Sequence, residues 1–247
     1  MVKVGRPPQD PARQMERAHR ILDAAADLVL RWGYGKTTID DVAKRAGVAK
    51  GTIYLHWKTR DELFAALLRR ERVLMLAEVR QGTPATLGEL YGGYARVLLR
   101  RPLLQALMRG DSDLLGKFTR QKQQAGQSPT MGLPLEEYVA ELVKLGAVRE
   151  EPGDHAMVAN AVLYGFLFVP DSLRMEAEES ADRIAFLVAD TIDRALSTGG
   201  TLSGDDADAV AEAVARATLD FLAAAQEIAE QRLAASMGGP QKAQRSV

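Results

Sequence analysis

The sequence predicts an all-α fold in two parts, a small three-helix head at the N-terminus and a larger all-helical body behind it. Three observations predict this. Apolar residues recur at helical spacing from Arg17 onward, with no stretch that alternates as a strand would. Gly, Pro and acidic caps cut the chain into helix-sized segments. A content of 47% hydrophobic residues in 247 suffices for a packed core.

Residues 1–16 read as a flexible basic arm, since Arg6-Pro7-Pro8 and Pro11 oppose a helix. A first helix is expected from Arg17, with Ile21, Leu22, Ala25, Leu28, Val29 and Trp32 on one stripe and Gly33 at its end. Thr38 stands three residues before Asp41, a capping-box-like start for a second helix buried through Ile39, Val42, Ala43 and Ala46. Gly47 suits a left-handed exit, and a third helix begins at about Ala49. Two short helices joined by so tight a glycine turn form a helix-turn-helix signature.

Thr59 and Glu62 make a second Thr-x-x-Glu box, opening a long helix through Leu63, Phe64, Leu67, Leu68, Val73 and Leu76 to about Glu78. That helix is expected to bridge head and body. Beyond Gly82-Thr83-Pro84, helical stripes follow at 86–100, 102–109, 112–125, 134–146, 154–169, 180–198 and 205–236. The last two carry long seams rich in small residues, suited to close helix pairing within or between chains. The resulting division is 1–16 arm, 17–62 head, 63–236 body and 237–247 a disordered tail.

Composition excludes several function classes. With no cysteine, thiol chemistry and cysteine zinc sites are ruled out, and three scattered histidines (His19, His56, His155) leave little for a metal. There is no glycine-rich phosphate loop, no Gly-x-Ser-x-Gly elbow and no paired histidine at metal spacing, so neither catalysis nor a cofactor is expected. No apolar run approaches the roughly 20 residues of a membrane span, and the first residues lack a secretion signal's apolar middle, so the expected place is the cytoplasm. A net charge of -1 conceals an asymmetry: residues 1–60 hold 12 Lys and Arg against 6 Asp and Glu, and the rest hold 20 against 27. The basic end is where a polyanion would dock, although charge alone leaves a merely solvated surface open.

The run Arg20-Ile21-Leu22-Asp23-Ala24-Ala25, Gly33-Tyr34, Thr37-Thr38, Asp41-Val42-Ala43, Ala46-Gly47-Val48, Gly51-Thr52-Ile53-Tyr54, His56-Trp57 and Arg60-Asp61-Glu62-Leu63 resembles the head of tetracycline-repressor-like (TetR-family) regulators. The resemblance covers about residues 17–64. It implies a DNA-binding transcriptional regulator whose helix-turn-helix head meets a palindromic operator in double-stranded DNA, and whose all-helical body senses a small ligand and forms a homodimer through its C-terminal helices. Repression released by the ligand is the implied habit; activation, or DNA binding with no sensing, are the alternatives.

By the same resemblance Thr38, Tyr54, His56 and Lys58 contact phosphates, and Lys50, Gly51 and Thr52 read bases. The chemistry fits, since a helix entering the major groove needs small residues and donors at its N-terminal end. Arg60 lies beside the free N–H groups of the next helix start, a further place for a phosphate. Arg6 resembles the arm arginines that enter the minor groove. Bland roles stand beside these: Thr38 as a cap, Tyr54 as a core tyrosine, His56 as a local cap, and Lys50, Lys58 and Arg60 as solvated charges. In the body, Tyr91, Tyr94, Met108, Phe118, Tyr138, Met157, Tyr164 and Phe168 are candidates to line a cavity for an apolar or aromatic effector, plain core being their alternative.

Overall fold

A computed structural model describes residues 10–109, 133–168, 177–199 and 205–237. Ten α-helices are described: α1 Pro11–Trp32, α2 Ile39–Ala46, α3 Lys50–His56, α4 Arg60–Gln81, α5 Leu87–Leu99, α6 Pro102–Arg109, α7 Leu133–Lys144, α8 His155–Phe168, α9 Ala177–Leu196 and α10 Asp205–Met237. The fold is all-α with a helix-turn-helix head. Among the described residues the nearest thing to a strand is one isolated bridge, Val148 to Ser197. The helix expected at 112–125 and the segments 1–9 and 238–247 lie outside the described residues.

Helix α1 begins six residues before Arg17, which corrects the extent of the arm. Asp10 caps it, accepting from the Ala12 N–H at 3.0 Å, and Pro11 occupies the first helical position. Proline is favoured there, because its missing N–H is one the helix start leaves unpaired and its φ is already helical. Pro11 therefore opens the helix it seemed to oppose.

The head core gathers Ile21, Leu22, Leu28 and Val29 of α1, Val42 of α2, Ile53 and Trp57, and Leu63, Phe64 and Leu67 of α4. The first turns of α4 thus belong to this core. Gly47, at φ 65 and ψ 37, makes the turn between α2 and α3 in the left-handed region that a side chain would strain. The body core gathers Leu76 and Val79 of α4 with Leu90, Tyr91 and Tyr94, Leu142, Leu163, Val188, Ile192 and Phe221. Within it α5 and α9 cross closely: a Cβ on Gly92 would stand 2.8 Å from the Ala185 carbonyl oxygen and 3.2 Å from the Ala189 Cβ.

The two seamed helices have different partners. Helix α9 packs on α5, and α10 packs along α4 and against α7. Helix α10 spans both cores, with Phe221, Leu222, Ala225 and Ala229 in the body and Leu233 and Met237 in the head. Head and body are therefore joined by α4, by α10 and by α6, whose Leu103 and Ala106 lie in the head core and Leu104 in the body core.

Candidate nucleic-acid interface

Helix α3 is anchored from one side only. Ile53 is fully buried and Trp57, just past its end, is 1% exposed, while Lys50, Gly51, Tyr54 and Leu55 stand in solvent and Thr52 is half-buried. Seven residues make under two helical turns, too few to be stable alone, so the burial of Ile53 and Trp57 in the head core, with α2 and α1 packed beside α3, holds the helix. The outward face combines a cation, a glycine, a hydroxyl, a phenol and an apolar side chain. A Cβ on Gly51 would meet no atom of the protein within 4 Å. Nothing inside the fold requires glycine there.

Helix α2 is set by a full capping box. Thr38 Oγ1 accepts from the Asp41 N–H at 3.2 Å, and Asp41 Oδ2 accepts from the Thr38 N–H at 3.1 Å and from its hydroxyl at 2.5 Å. These bonds hold the Asp41 carboxyl below its ordinary range. Thr38 is thus a cap, exposed at the edge of the α3 face. Lys50 Nζ donates to Asp40 Oδ2 at 2.7 Å, and the bond raises the Lys50 pKa. Both side chains are exposed, so the pair is weak and open to exchange for a phosphate. The Lys58 N–H donates to Glu62 Oε2 at 2.7 Å, and its side chain is exposed.

Two expected contacts turn inward. His56 is 6% exposed, its Nδ1 3.1 Å from the Met237 carbonyl oxygen at the end of α10. The last carbonyls of a helix lack intrahelical partners, so the imidazole N–H caps α10 instead of standing free for a phosphate. Arg60 donates to the Thr37 carbonyl oxygen at 3.2 Å and lies 4.1 Å over the Tyr34 ring. It braces the loop before α2, while the buried Tyr34 hydroxyl bonds Asp61. Burial, then the Asp61 bond, raises the Tyr34 pKa. Arg6 lies outside the described residues. Leu55 and Met237 escaped the sequence reading: Leu55 is a plain apolar residue outside any stripe, and Met237 touches His56 only through a 181-residue loop in the chain.

Residues 21–67, most of the head, match the family described as bacterial regulatory proteins, tetR family. Among similar proteins, the fatty acid metabolism regulator protein of Bacillus subtilis is 36% identical over 52 residues, 21% of this chain and 27% of its own length. The HTH-type transcriptional activator FasR of Mycolicibacterium smegmatis is 35% identical over 71 residues, covering 29% and 32%. The HTH-type transcriptional repressor KstR of the same species is 35% identical over 101 residues, covering 38% and 50%. The chain therefore spans between a quarter and a half of the length of these relatives, all named as regulators and none as an enzyme.

Over most of the chain the fold is similar to that of SmeT, the repressor of the Stenotrophomonas maltophilia multidrug efflux pump SmeDEF, with TM-score 0.50, 22% identity and coverage of 76% of this chain and 94% of that one. A SmeT–triclosan complex compares at TM-score 0.54 and 22% identity, covering 77% and 96%.

In the body, three of the candidate lining residues come together. Tyr91 and Tyr94 are both buried, their rings edge to face at 5.9 Å, and the Tyr138 ring stacks on Phe221 at 4.8 Å. Tyr138 shares a 2.9 Å hydrogen bond with Thr218 Oγ1 of α10, and the Tyr91 hydroxyl reaches Asn160 at 3.4 Å. Burial raises the pKa of all three phenols, so each is neutral at physiological pH. Met108 and Tyr164 are partly buried. Met157 and Phe168, at 65% and 48% exposed, stand on the outer face of α8 and line no interior, a correction to their expected role. Every fourth residue from Met157 through Ala161 to Gly165 faces out, because α8 is apolar on all sides and its periodicity hides which face is inward. Phe118 lies outside the described residues. No helix among the described residues is long and apolar enough to cross a membrane.

Proposed function

We propose that the protein is a dimeric, sequence-specific DNA-binding regulator of transcription, with residues 17–62 and the first turns of α4 as its reading head and the body as sensor of a small apolar or aromatic ligand. The observation that carries the reading is the α3 surface: Lys50, Gly51, Tyr54 and Leu55 exposed on a helix held from behind by Ile53 and Trp57. Lys50 reaches a base edge or phosphate on giving up Asp40, Gly51 admits the backbone to the groove, Thr52 and Tyr54 supply hydroxyls, and the Leu55 side chain suits a thymine methyl. Thr38 and Lys58 flank this face as phosphate contacts.

A two-fold dimer presents two such helices to a palindrome whose half-sites lie about 34 Å apart. Its interface is best supported on α8 and α9, where Met157, Phe168 and Phe186 are exposed, rather than on α10, which is occupied by α4 and α7. The ligand is placed beside Tyr91, Tyr94 and Tyr138, whose rings offer apolar walls and whose hydroxyls offer polar tips. Tyr138 touches α10 through Phe221 and Thr218, so a ligand displacing it acts on the head through α10. Loss of operator affinity by 100-fold requires about 2.7 kcal/mol of preference for the released state. Repression is the proposed sign, with KstR and SmeT named as repressors and FasR as an activator.

Selection of random duplexes by the purified full chain tests the reading. Recovery of a palindrome that Lys50→Ala with Tyr54→Ala no longer recovers supports it; no motif, or equal recovery by the variant, rejects α3 as the reading helix. Thermal melting against hydrophobic compounds separates a sensor from a plain DNA binder, since only a sensor is stabilised in a concentration-dependent way.

A further inference from the structure

Helix α10 runs for 33 residues without a glycine or a proline, the residues at which helices most often bend, so it moves as one rod. Near its middle Thr218 is fully buried. Its hydroxyl donates to the Val214 carbonyl oxygen at 2.8 Å and accepts the Tyr138 hydroxyl of α7 at 2.9 Å, beside the stack of Tyr138 on Phe221. Met237 follows nineteen residues later, about 28 Å along the axis at 1.5 Å per residue. There Leu233 and Met237 enter the head core, and the Met237 carbonyl oxygen accepts from His56 Nδ1 at 3.1 Å. His56 is the last residue of α3, is buried, and sets its ring 5.2 Å from that of Trp57. The end of α10 thus grips the helix that carries the outward face, and not only α4 behind it.

A stiff rod held by hydrogen bonds at two distant points carries a shift from one to the other. Between them α10 packs along α4, and apolar contact, being non-directional, tolerates sliding. A 3.1 Å hydrogen bond does not survive a shift of about 1 Å. Helix shifts of about 1–2 Å are the ordinary scale of switching at packed interfaces. We propose that α10 is a lever on α3: its last turn, through Leu233, Met237 and His56, positions the reading helix, and a shift of α10 at Tyr138 and Thr218 releases it. His56 is then a positioning residue, acting on DNA through the angle of α3 to the head. On release Ile53 and Trp57 stay buried, so α3 remains folded while Lys50, Tyr54 and Leu55 lose their fixed aim. This lever rests on the reading of α3 as the DNA-reading helix, and adds a route to it that bypasses α4.

Amide exchange of the free full chain is the first measurement, on Tyr138→Phe, which keeps the ring on Phe221 and removes the bond to Thr218. Exchange at residues 54–57 is expected to rise roughly 10-fold while α1 stays as in the parent. No rise there, or an equal rise in α1, overturns the lever. That result needs no DNA, so failure to select any duplex sinks α3 as reader and leaves the lever to be judged on exchange alone. With a selected duplex, anisotropy titrations compare Tyr138→Phe, His56→Leu and the two together. Each single substitution is expected to raise Kd about 10-fold, and the pair no further than the worse single, because both release one rod. Independent sites this far apart would add, and additive losses overturn the lever. His56→Asn, whose side-chain N–H replaces that of Nδ1, restores affinity with the parent's salt dependence. A salt slope lowered by about one in His56→Leu also overturns the lever, and makes His56 a phosphate contact.

Discussion

Gly51→Ala separates what the fold requires of α3 from what its proposed target requires. Inside the protein the added methyl meets nothing within 4 Å, and Gly51 is the second residue of a helix with ordinary helical backbone. Alanine is favoured over glycine in helices by about 0.5–1 kcal/mol, and a first-turn position takes the lower end. For a chain of this size that corresponds to a rise in Tm of roughly 1–3 °C. Against DNA the sign reverses. If the backbone at Gly51 lies against base edges, the methyl overpacks that contact at about 1–3 kcal/mol, or roughly 5- to 150-fold in Kd. Thermal or denaturant melts give the first quantity, and anisotropy titrations of the selected duplex at fixed salt give the second. A variant that melts higher and binds the duplex as before would refute the placement of Gly51 in the groove. A variant that melts lower would refute the open space around α3.

Gly92→Ala is expected to destabilise despite the same helix preference, since the methyl would stand 2.8 Å from the Ala185 carbonyl oxygen, a backbone atom that cannot step aside. A net loss of about 1–2 kcal/mol in denaturant unfolding checks it. Thr38→Ala removes the α2 cap at about 1 kcal/mol. Asp41, whose pKa that cap depresses below 3.8, contributes stability above its ordinary value that is lost as pH falls through the lower folded value, so the variant's stability curve flattens in that acid window relative to the parent. Leu233→Ala, at a position 5% exposed in the head core, is expected to cost about 2 kcal/mol, low in the usual range because the site lies near a helix end. Faster amide exchange at His56 and Trp57 should accompany the loss, and unchanged exchange there would argue against the α10 contact with the head.

Local chemistry was legible in the sequence by itself. The Thr38–Asp41 and Thr59–Glu62 boxes, the Gly47 turn and the apolar stripes depend on residues within one or two turns of each other, so their spacing suffices to place the head helices. For the same reason the proposed reading face of α3, from Lys50 to Tyr54, could be put forward from spacing. Pro11 was misread because a proline forbids a helix interior yet favours a helix start, and only the Asp10 cap distinguishes the two.

Tertiary structure decided what depends on distant partners. His56 and Arg60 look like free polar tips in sequence, but Met237 and Thr37 claim them. Met157 and Phe168 look like pocket lining, yet stand outward on a helix whose apolar residues have no preferred side. The pairing of Arg101 with Glu71 and Glu78 is likewise invisible in a chain that has acids in plenty, because the partners lie 30 and 23 residues away on α4. Spacing along a chain specifies which residues share a helix face. Which partner that face meets depends on packing between helices far apart in sequence, and only the folded chain supplies it.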